Sequence, residues 1–461
     1  MILMRGRTRQ PAKEVRHAAR RGAPGGRLYA EVKSFHTGSM NATKQRLADA
    51  EIVDRLLPRF LKYVTVWTTS DRHVADTPST PGQWDLARML LDELKALGLA
   101  EVELTDHCYV LARIPATEGC ENAPTIAFMA HVDTSSDVSG KDVKPIITYD
   151  YDGKPILLAE GRKLDPADDP ALLQCVGDNI VSSDGTTLLG ADDKAGVAEI
   201  MAAVDYLLSH PEIPRGKLEI LFSPDEETGK GLPEFPLDRF HSQACYTLDA
   251  GPAGEVETEC FTAYKADVVF TGKVIHVGYA RGKLANAVLM ASTFATMLPR
   301  SESPEATDGY YGYFAPMEVK GNLEKAELEV YVRDFEQEGA DRRLAALQAF
   351  ARAVEAQFPG GTVEVKPVLQ YLNMKRKIDA KPQVLELLQK AAEKAGVAHY
   401  LKPIRGGTDG SRLTEMGIPT PNIFAGGRNF HSRSEWASVA DMVASTRTIV
   451  ELVRLWSEVR S

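Results

Sequence analysis

An apolar run over residues 218–222 is followed, after a Ser-Pro pair, by three consecutive acids, Asp225, Glu226 and Glu227. In open α/β sheets, ligands bind at the edge where the parallel strands end, so acids placed there can face a ligand. Adjacent carboxylates repel one another and need a cation or a shared proton nearby. Taken alone, this segment fits a solvated acidic turn after a buried strand better than it fits a binding site.

Two more predicted strands end in polar residues, and a loop before a predicted helix also carries acids. His131 and Asp133 follow strand 125–130, Asp249 follows strand 245–248, and Asp192 lies in the loop 188–196. Strands that alternate with helical apolar stripes predict an α/β catalytic domain with a mixed, mostly parallel sheet flanked by helices. At the start of one of these helices, Thr80-Pro-Gly-Gln83 predicts a capping box.

The pattern changes between residues 261 and 372, where the predicted order is strand, helix, strand, strand, helix, strand. This order is the split βαβ, ferredoxin-like unit, and it predicts an α+β lid domain inserted into the catalytic domain. A chain of 461 residues is long enough for two or three domains. We predict an extension or a disordered segment over 1–45, a catalytic domain over 46–260 and 373–461, and the lid, of a type that also dimerises, over 261–372.

The composition excludes several classes of protein. A net charge of −10 argues against a general nucleic-acid binder. No run approaches the roughly 18 apolar residues of a membrane-spanning helix, so no membrane partner is expected, and no signal peptide is recognisable near the start. The five cysteines are odd in number and lack CxxC spacing, which indicates neither a disulfide framework nor a thiolate zinc site. These features predict a cytoplasmic protein.

Five residues are candidate metal ligands: His131, Asp192, Glu227, Asp249 and His431. Each alone has an ordinary structural explanation, such as a helix cap or a turn residue. Together, two histidines and three carboxylates suit a pair of divalent cations with nitrogen and oxygen ligands, such as zinc. If Asp192 bridges both ions, His131 and Asp249 complete one site, and Glu227 and His431 complete the other. Paired metals of this kind generate hydroxide and polarise a carbonyl.

The acids next to these ligands receive different predicted roles. Glu226 stays free of metal and takes the proton from the bridging water as a general base. Asp133 accepts the second ring N–H of His131 and thereby fixes the orientation of that ligand. Asp225 receives no predicted role.

The chain resembles the co-catalytic zinc exopeptidases, the family that includes glutamate carboxypeptidase, acetylornithine deacetylase and several di- and tripeptidases. The motifs that carry this resemblance are His131-Val-Asp133, Gly190-Ala-Asp-Asp-Lys-Ala-Gly196, Ser223-Pro-Asp-Glu-Glu-Thr-Gly229, Leu248-Asp-Ala-Gly251 and the loop around His431. Other stretches are similar to the tripeptide aminopeptidases of that family, among them Pro403-Ile-Arg-Gly-Gly-Thr-Asp-Gly-Ser411 and Arg333-Asp-Phe335. The resemblance runs from about Arg55 to the C-terminus.

The resemblance implies the same five ligands, the same base and a cis peptide bond between Asp192 and Asp193. It also implies substrate contacts from three further residues. His276 would stabilise the oxyanion, Asn286 would lie near the substrate, and Arg405 would bind the peptide's terminal carboxylate. The chain departs from the family pattern at Val277, which follows His276 and where a proline is usual. Asn286 on a helix surface and a solvated Arg405 are the ordinary alternatives.

We therefore predict a di-zinc aminopeptidase that releases the N-terminal residue from tripeptides, by attack of a metal-bridging hydroxide that Glu226 generates. Two Zn²⁺ per subunit are expected, with Mn²⁺ or Co²⁺ as substitutes. The expected partners are a short peptide substrate and a second copy of the chain in a homodimer. Related alternatives are a di-zinc carboxypeptidase, a dipeptidase or an N-acyl amino-acid deacylase. A non-catalytic metal-binding protein is a further alternative, but neither the base nor any ligand is missing.

Overall fold

A computed structural model of the chain describes the backbone of residues 40–460 and the side chains from residue 46 onward. The predicted extension over 1–45 therefore lies almost wholly outside the described residues. The chain divides into two units, Met1–Ala50 and Glu51–Ser461. Only the beginning of the first helix is described in the first unit, and the sheets and the site discussed below belong to the second.

The helices and strands follow in chain order. The helices are α1 (Met40–Tyr63), α2 (Gly82–Ala96), α3 (Ala191–Ser209), α4 (Ala287–Met297), α5 (Gln337–Gln357), α6 (Lys375–Asp379), α7 (Pro382–Lys394), α8 (Asp409–Glu415) and α9 (Val439–Ser457). The first ten strands are β1 (Glu101–Leu104), β2 (Val110–Ile114), β3 (Ile126–His131), β4 (Ile146–Thr148), β5 (Ile156–Leu157), β6 (Lys163–Leu164), β7 (Ile180–Ser182), β8 (Leu218–Ser223), β9 (Ala244–Ala250) and β10 (Glu255–Glu257). The others are β11 (Thr262–Thr271), β12 (Tyr313–Gly321), β13 (Lys325–Asp334), β14 (Thr362–Tyr371), β15 (Tyr400–Leu401), β16 (Asn422–Phe424), β17 (Gly427–Arg428) and β18 (Trp436–Ser438).

An eight-stranded mixed sheet, in the order β1-β2-β8-β3-β9-β16-β10-β15, forms the catalytic domain. The strands from β8 to β16 are parallel, whereas β1 and β2 continue the sheet antiparallel at one edge. Every residue of β3 and β8 is buried, as expected for central strands covered on both faces. In their register His131 lies beside Ser223, so the acidic turn after β8 begins where β3 ends.

The lid is a second sheet of four antiparallel strands in the order β12-β13-β11-β14. Helices α4 and α5 pack against it around a separate hydrophobic core that includes Phe270 and Phe294. The chain order β11-α4-β12-β13-α5-β14 is the predicted strand and helix order. The predicted fold class, a helix-flanked mixed sheet with an α+β lid, is confirmed.

A third, small sheet in the order β17-β18-β7-β4 borders the site. Within it, β18 pairs with β7, and β17 pairs with β18. The loop between β17 and β18, which contains His431, is thus held at both ends. None of the described helices is long and apolar enough to cross a membrane.

Candidate metal and catalytic centre

The five predicted ligands come together at the C-terminal edge of the large sheet. His131 ends β3, Asp249 lies near the end of β9, and Glu227 follows β8. Asp192 lies in the first turn of α3, and His431 lies in the loop between β17 and β18. Segments that are far apart in sequence meet here because the parallel strands β3, β8 and β9 end at the same edge.

Asp192 lies between the two histidines, and each of its carboxylate oxygens faces one of them. His131 Nε2 lies 2.9 Å from Asp192 Oδ1 and 3.7 Å from Asp249 Oδ1. His431 Nε2 lies 3.2 Å from Asp192 Oδ2 and 2.9 Å from Glu227 Oε1. The peptide bond between Asp192 and Asp193 is cis. This arrangement has the pairing that a bridging Asp192 requires.

The negative charge of the carboxylates in this cluster also suits divalent cations. Across the part of the chain with described side chains, no lysine or arginine forms an ion pair with Asp192, Glu227 or Asp249. Burial raises the pKa of Glu227 to about 7, and the negative charge of Asp192 acts in the same direction. Burial alone would lower the pKa of His431, but its contacts with Asp192 and Glu227 raise it to about 12. Buried carboxylates that have no lysine or arginine partner call for a cation.

Two sets of three donors are close enough to hold an ion. One contains His131, Asp192 and Glu227, and the other contains His131, Asp193 and Asp249, with the donor atoms of each set within 4.8 Å of one another. Asp193 was not a predicted ligand. Its Oδ2 accepts the His131 backbone N–H, and its buried Oδ1 has no hydrogen-bond partner. Nitrogen and carboxylate donors of this kind are those that zinc accepts.

Asp133 is fully buried and contacts both His131 and the acidic turn. Its two carboxylate oxygens accept the backbone N–H groups of Glu226 at 3.0 Å and Glu227 at 3.1 Å. The Nδ1 atom of His131 lies 3.1 Å from the Asp133 carbonyl oxygen and 3.3 Å from Asp133 Oδ1. Asp133 therefore holds the turn that carries the acids and also lies against the His131 ring.

Glu226 faces a cavity of about 490 Å³ between the large sheet and the lid. Burial raises the pKa of Glu226 well above its ordinary value, and the nearby carboxylates of Asp249 and Asp409 raise it further. A carboxyl group with a raised pKa is suited to accept and return a proton near neutral pH. The cavity wall also includes Glu227 and His431 from the catalytic domain and Arg333 and Gln370 from the lid.

Arg333 is a cationic residue of the cavity that the sequence did not single out as a binding residue. Only 6% of its surface is exposed, and its guanidinium lies 4.6 Å from the Tyr331 ring centre and 5.7 Å from that of Tyr371. Its Nη1 donates to the carbonyl oxygens of Tyr264 and Val332. Among the described side chains, no carboxylate forms an ion pair with it. A buried guanidinium without an acid partner is a natural site for an anionic group.

The three predicted substrate-binding residues lie outside this cavity wall. Arg405 is half-buried and donates to the carbonyl oxygens of Thr307, Gly309 and Tyr311, so its guanidinium holds a lid loop. Asn286 caps α4 by accepting the N–H groups two and three residues later. His276 is exposed in the loop before α4, where it accepts the Gly278 N–H. The described structure does not bring these residues to the metal-ligand cluster.

Two buried carboxylates near the centre had no predicted role. Asp225 accepts hydrogen bonds from Ser79 and Gln83, and Glu435 accepts three backbone N–H groups from residues 189–192. In the sequence both acids lie in polar loops, so their neighbours do not distinguish them from solvent-exposed acids. Their only signal was proximity, since Asp225 adjoins Glu226 and Glu435 follows His431 by four positions.

Known proteins resemble this chain over most of its length. Residues 187–455 match the model of the family described as Peptidase family M20/M25/M40. The chain is 45% identical to peptidase T of Geobacillus thermodenitrificans over 405 residues, which cover 87% of this chain and 98% of that protein. It is 44% identical over 401 residues to peptidase T of Clostridium perfringens strain SM101, again covering 87% and 98% of the two chains.

Solved structures share the fold. The crystal structure of the aminopeptidase PepT of Bacillus cereus superposes with a TM-score of 0.66 at 23% identity, covering 88% of this chain and 99% of that one. A tripeptidase of Staphylococcus aureus superposes with a TM-score of 0.68 at 20% identity over the same shares of the two chains. The family match spans more than half of the chain, and the sequence relatives are matched over nearly their whole length. The chain therefore belongs to the Peptidase family M20/M25/M40, and it is a hydrolase that acts on peptides.

Proposed function

We propose that this chain is a metal-dependent aminopeptidase that releases the N-terminal residue from tripeptides. The observation that carries the proposal is the position of Asp192 between two histidines, beside a cavity that contains both Glu226 and Arg333. The similarity to proteins named peptidase T supports the tripeptide specificity. A free peptide offers a scissile amide and a terminal carboxylate, and these two features match the acidic and basic groups of the cavity.

The proposed ligands, which would hold two divalent ions, are His131, Asp192, Glu227, Asp249 and His431, and Asp192 would be shared between the two histidines. Zinc is our first choice, with manganese or cobalt as substitutes, because nitrogen and carboxylate donors suit all three. When bound, the ions would supply Lewis acidity for the scissile carbonyl and lower the pKa of water. Asp133 would orient His131 and hold the turn that carries Glu226.

Glu226 is the proposed proton carrier. Its carboxylate accepts a proton from the attacking water as the new C–O bond forms at the scissile carbon. The same carboxyl group then donates this proton to the departing amide nitrogen as the C–N bond breaks. The raised pKa of Glu226 supports the assignment, because a carboxylate of ordinary acidity is a weaker base and takes up the proton from water less readily.

Arg333 is the proposed anchor for the terminal carboxylate of the substrate, in place of Arg405. Its planar guanidinium is held by two tyrosine rings and two carbonyl oxygens, so it can meet a carboxylate with little loss of side-chain entropy. Arg405, in the catalytic domain, already donates to three carbonyl oxygens of the lid. A carboxylate anchor on the lid and the proton carrier on the catalytic domain would together restrict the length of the peptide.

The homodimer remains part of the proposal. His276 lies in an exposed loop, so a role in stabilising the oxyanion requires a second subunit or a movement of the lid. Sedimentation velocity at several protein concentrations would measure the oligomeric state, and a monomer at every concentration would contradict the dimer.

The central experiment compares Glu226→Gln with Glu234→Gln, which changes an exposed acid eight positions along the chain. We expect Glu226→Gln to lower kcat on a tripeptide by about 10²–10⁴-fold, while the metal content stays at the wild-type value. Glu234→Gln should leave both unchanged. A kcat within tenfold of wild type for Glu226→Gln would contradict its role as the proton carrier.

The substrate class is tested with di-, tri- and tetrapeptides that carry free or blocked termini, with the products identified by mass spectrometry. Release of the N-terminal residue from free tripeptides supports the proposal. Release of the C-terminal residue, preference for dipeptides or preference for acylated amino acids would instead indicate the related carboxypeptidase, dipeptidase or deacylase activities.

A further inference from the structure

Glu435 is a buried acid beside the proposed metal centre, and the charge of the buried Lys194 acts on it from a distance. It is 1% exposed, and no described lysine or arginine forms an ion pair with it. Its Oε2 accepts the backbone N–H groups of Leu189 and Gly190, each at 2.8 Å, and its Oε1 accepts that of Asp192 at 3.1 Å. Three N–H donors are thus satisfied by one carboxylate that comes from a segment more than 240 positions away.

These N–H groups lie where the chain enters α3, at the residues before and within its first turn. The first N–H groups of a helix have no partner inside the helix, and the N-terminal end carries a partial positive charge. Gly190, at the N-cap position of α3, has a φ of +82° and makes no side-chain cap. Glu435 supplies the missing acceptors, so it determines where the backbone of Asp192 lies.

Glu435 and His431 belong to the same loop, and both reach Asp192. Glu435 holds the backbone N–H of Asp192, and His431 Nε2 lies 3.2 Å from Asp192 Oδ2. The next residue, Trp436, begins β18, which pairs with β7 and anchors the loop. The Glu435 carboxylate therefore links two chain segments, the start of α3 and the loop before β18, and each of these segments carries a proposed ligand.

We propose that Glu435 is a positioning residue for the metal centre, which fixes Asp192 relative to His431 and thereby sets the affinity of the site for divalent cations. This inference rests on the proposed function in one respect, because it uses the same metal ligands, and it does not depend on the peptidase activity. A carboxylate is required because three N–H donors need an acceptor on both oxygens. A glutamine would turn an N–H₂ group toward a donor. Partners outside the ligand shell that orient metal ligands commonly change metal affinity by about 10- to 100-fold when they are altered.

The test measures Zn²⁺ affinity by competition with a chromophoric chelator, which needs no enzymatic activity. Glu435→Gln is compared with Glu199→Gln, because Glu199 is also fully buried and lies two turns along α3, where it accepts the Ser445 hydroxyl. We expect Glu435→Gln to weaken zinc binding by about 10- to 100-fold. Glu199→Gln should leave zinc affinity within about twofold of wild type, whatever it does to stability.

A second variant keeps the inference testable if Glu435→Gln accumulates poorly. Glu435→Asp retains the charge but is one methylene shorter, so we expect an intermediate loss of zinc affinity and a folded metal-free protein by circular dichroism. Zinc affinity at the wild-type value in a folded Glu435 variant would overturn the inference. Loss of the metal-free fold in both variants would also overturn it, because Glu435 would then be needed for folding and not for positioning. A protein that binds zinc tightly but cleaves no peptide would contradict the proposed function and leave the role of Glu435 standing.

Discussion

Gln83 and Asp225 form two reciprocal hydrogen bonds in the buried interior next to the acidic turn. The Gln83 side-chain Nε2 donates to Asp225 Oδ1 at 2.7 Å, and the Asp225 backbone N–H donates to Gln83 Oε1 at 3.0 Å. The capping box predicted for Thr80 and Gln83 is wrong, because α2 has no side-chain cap. Gln83 instead joins the first turn of α2 to the residue before Glu226, and Asp225 thereby acquires a structural role.

Replacing Gln83 with leucine should destabilise the fold. The change leaves the Asp225 N–H without an acceptor and removes one donor from its carboxylate, at a cost of about 1–3 kcal/mol for each buried group left unsatisfied. Urea denaturation would measure the free energy of unfolding. Gln348→Leu, at an exposed position in α5, is the control and should change it by less than about 0.5 kcal/mol. Equal effects of the two variants would contradict the role of the Gln83–Asp225 pair.

Arg333 and Arg405 should respond differently to alanine substitution. Arg333→Ala removes a charge-assisted contact worth about 1.5–3 kcal/mol, so KM for a tripeptide should rise about 10- to 100-fold. The same variant should hardly alter KM for a tripeptide amide, which lacks the carboxylate. Arg405→Ala should lower the melting temperature with a smaller effect on KM, because Arg405 holds the lid loop over residues 307–311.

The steady-state parameters of both arginine variants would be measured on the free and the amidated peptide. Arg412→Ala is a useful control, since Arg412 also lines the cavity but already pairs with Glu415. If Arg405→Ala loses carboxylate discrimination while Arg333→Ala retains it, Arg405 binds the carboxylate, as the family resemblance implies, and our assignment of Arg333 is wrong.

Two neighbouring glycines offer a test of the cavity wall. A Cβ atom on Gly407 would lie 2.4 Å from the Tyr371 ring, whereas one on Gly406 would meet only Ile404, at 3.9 Å. Tyr371 packs beside the Arg333 guanidinium, so Gly407→Ala should displace both and cost about 1–3 kcal/mol of stability. We expect a raised KM for tripeptides from Gly407→Ala and near wild-type kinetics from Gly406→Ala. If the two variants had the same kinetics, the position of the Tyr371 ring would not affect substrate binding, and the prediction would be wrong.

Removal of metal should lower thermal stability. An ion that binds only the folded chain stabilises it by about 2.7 kcal/mol at a free concentration one hundred times its Kd. Dialysis against a chelator should therefore lower the melting temperature, and added Zn²⁺ should restore it. The His131→Asn variant should lose this response, whereas His241→Asn, at an exposed position, should keep it. A melting temperature indifferent to chelator and zinc in the wild type would contradict the metal centre.

Much of the fold could be predicted because its signals are local. Apolar runs such as 125–130 and 218–222 mark strands buried on both faces, and the change of element order after residue 260 indicates the second domain. The proximity of His131, Glu227 and Asp249 was also within reach, whereas Asp192 lies in the first turn of α3 and His431 lies in a loop of the third sheet. Polar residues that directly follow parallel strands must meet, because those strands end at one edge of the sheet.

By itself, the sequence determined which chemical groups are available and which strand ends carry them. Only the tertiary structure decided which charged groups already have partners. Both terminal nitrogens of Arg405 donate to carbonyl oxygens almost 100 positions earlier, whereas the described hydrogen bonds of Arg333 to carbonyl oxygens come from Nη1, and Arg333 lines the cavity. Asp225 and Glu435 find their donors 142 and 246 positions away. Hydrogen bonding and burial depend on distances between folded segments, and no local pattern of residues records those distances.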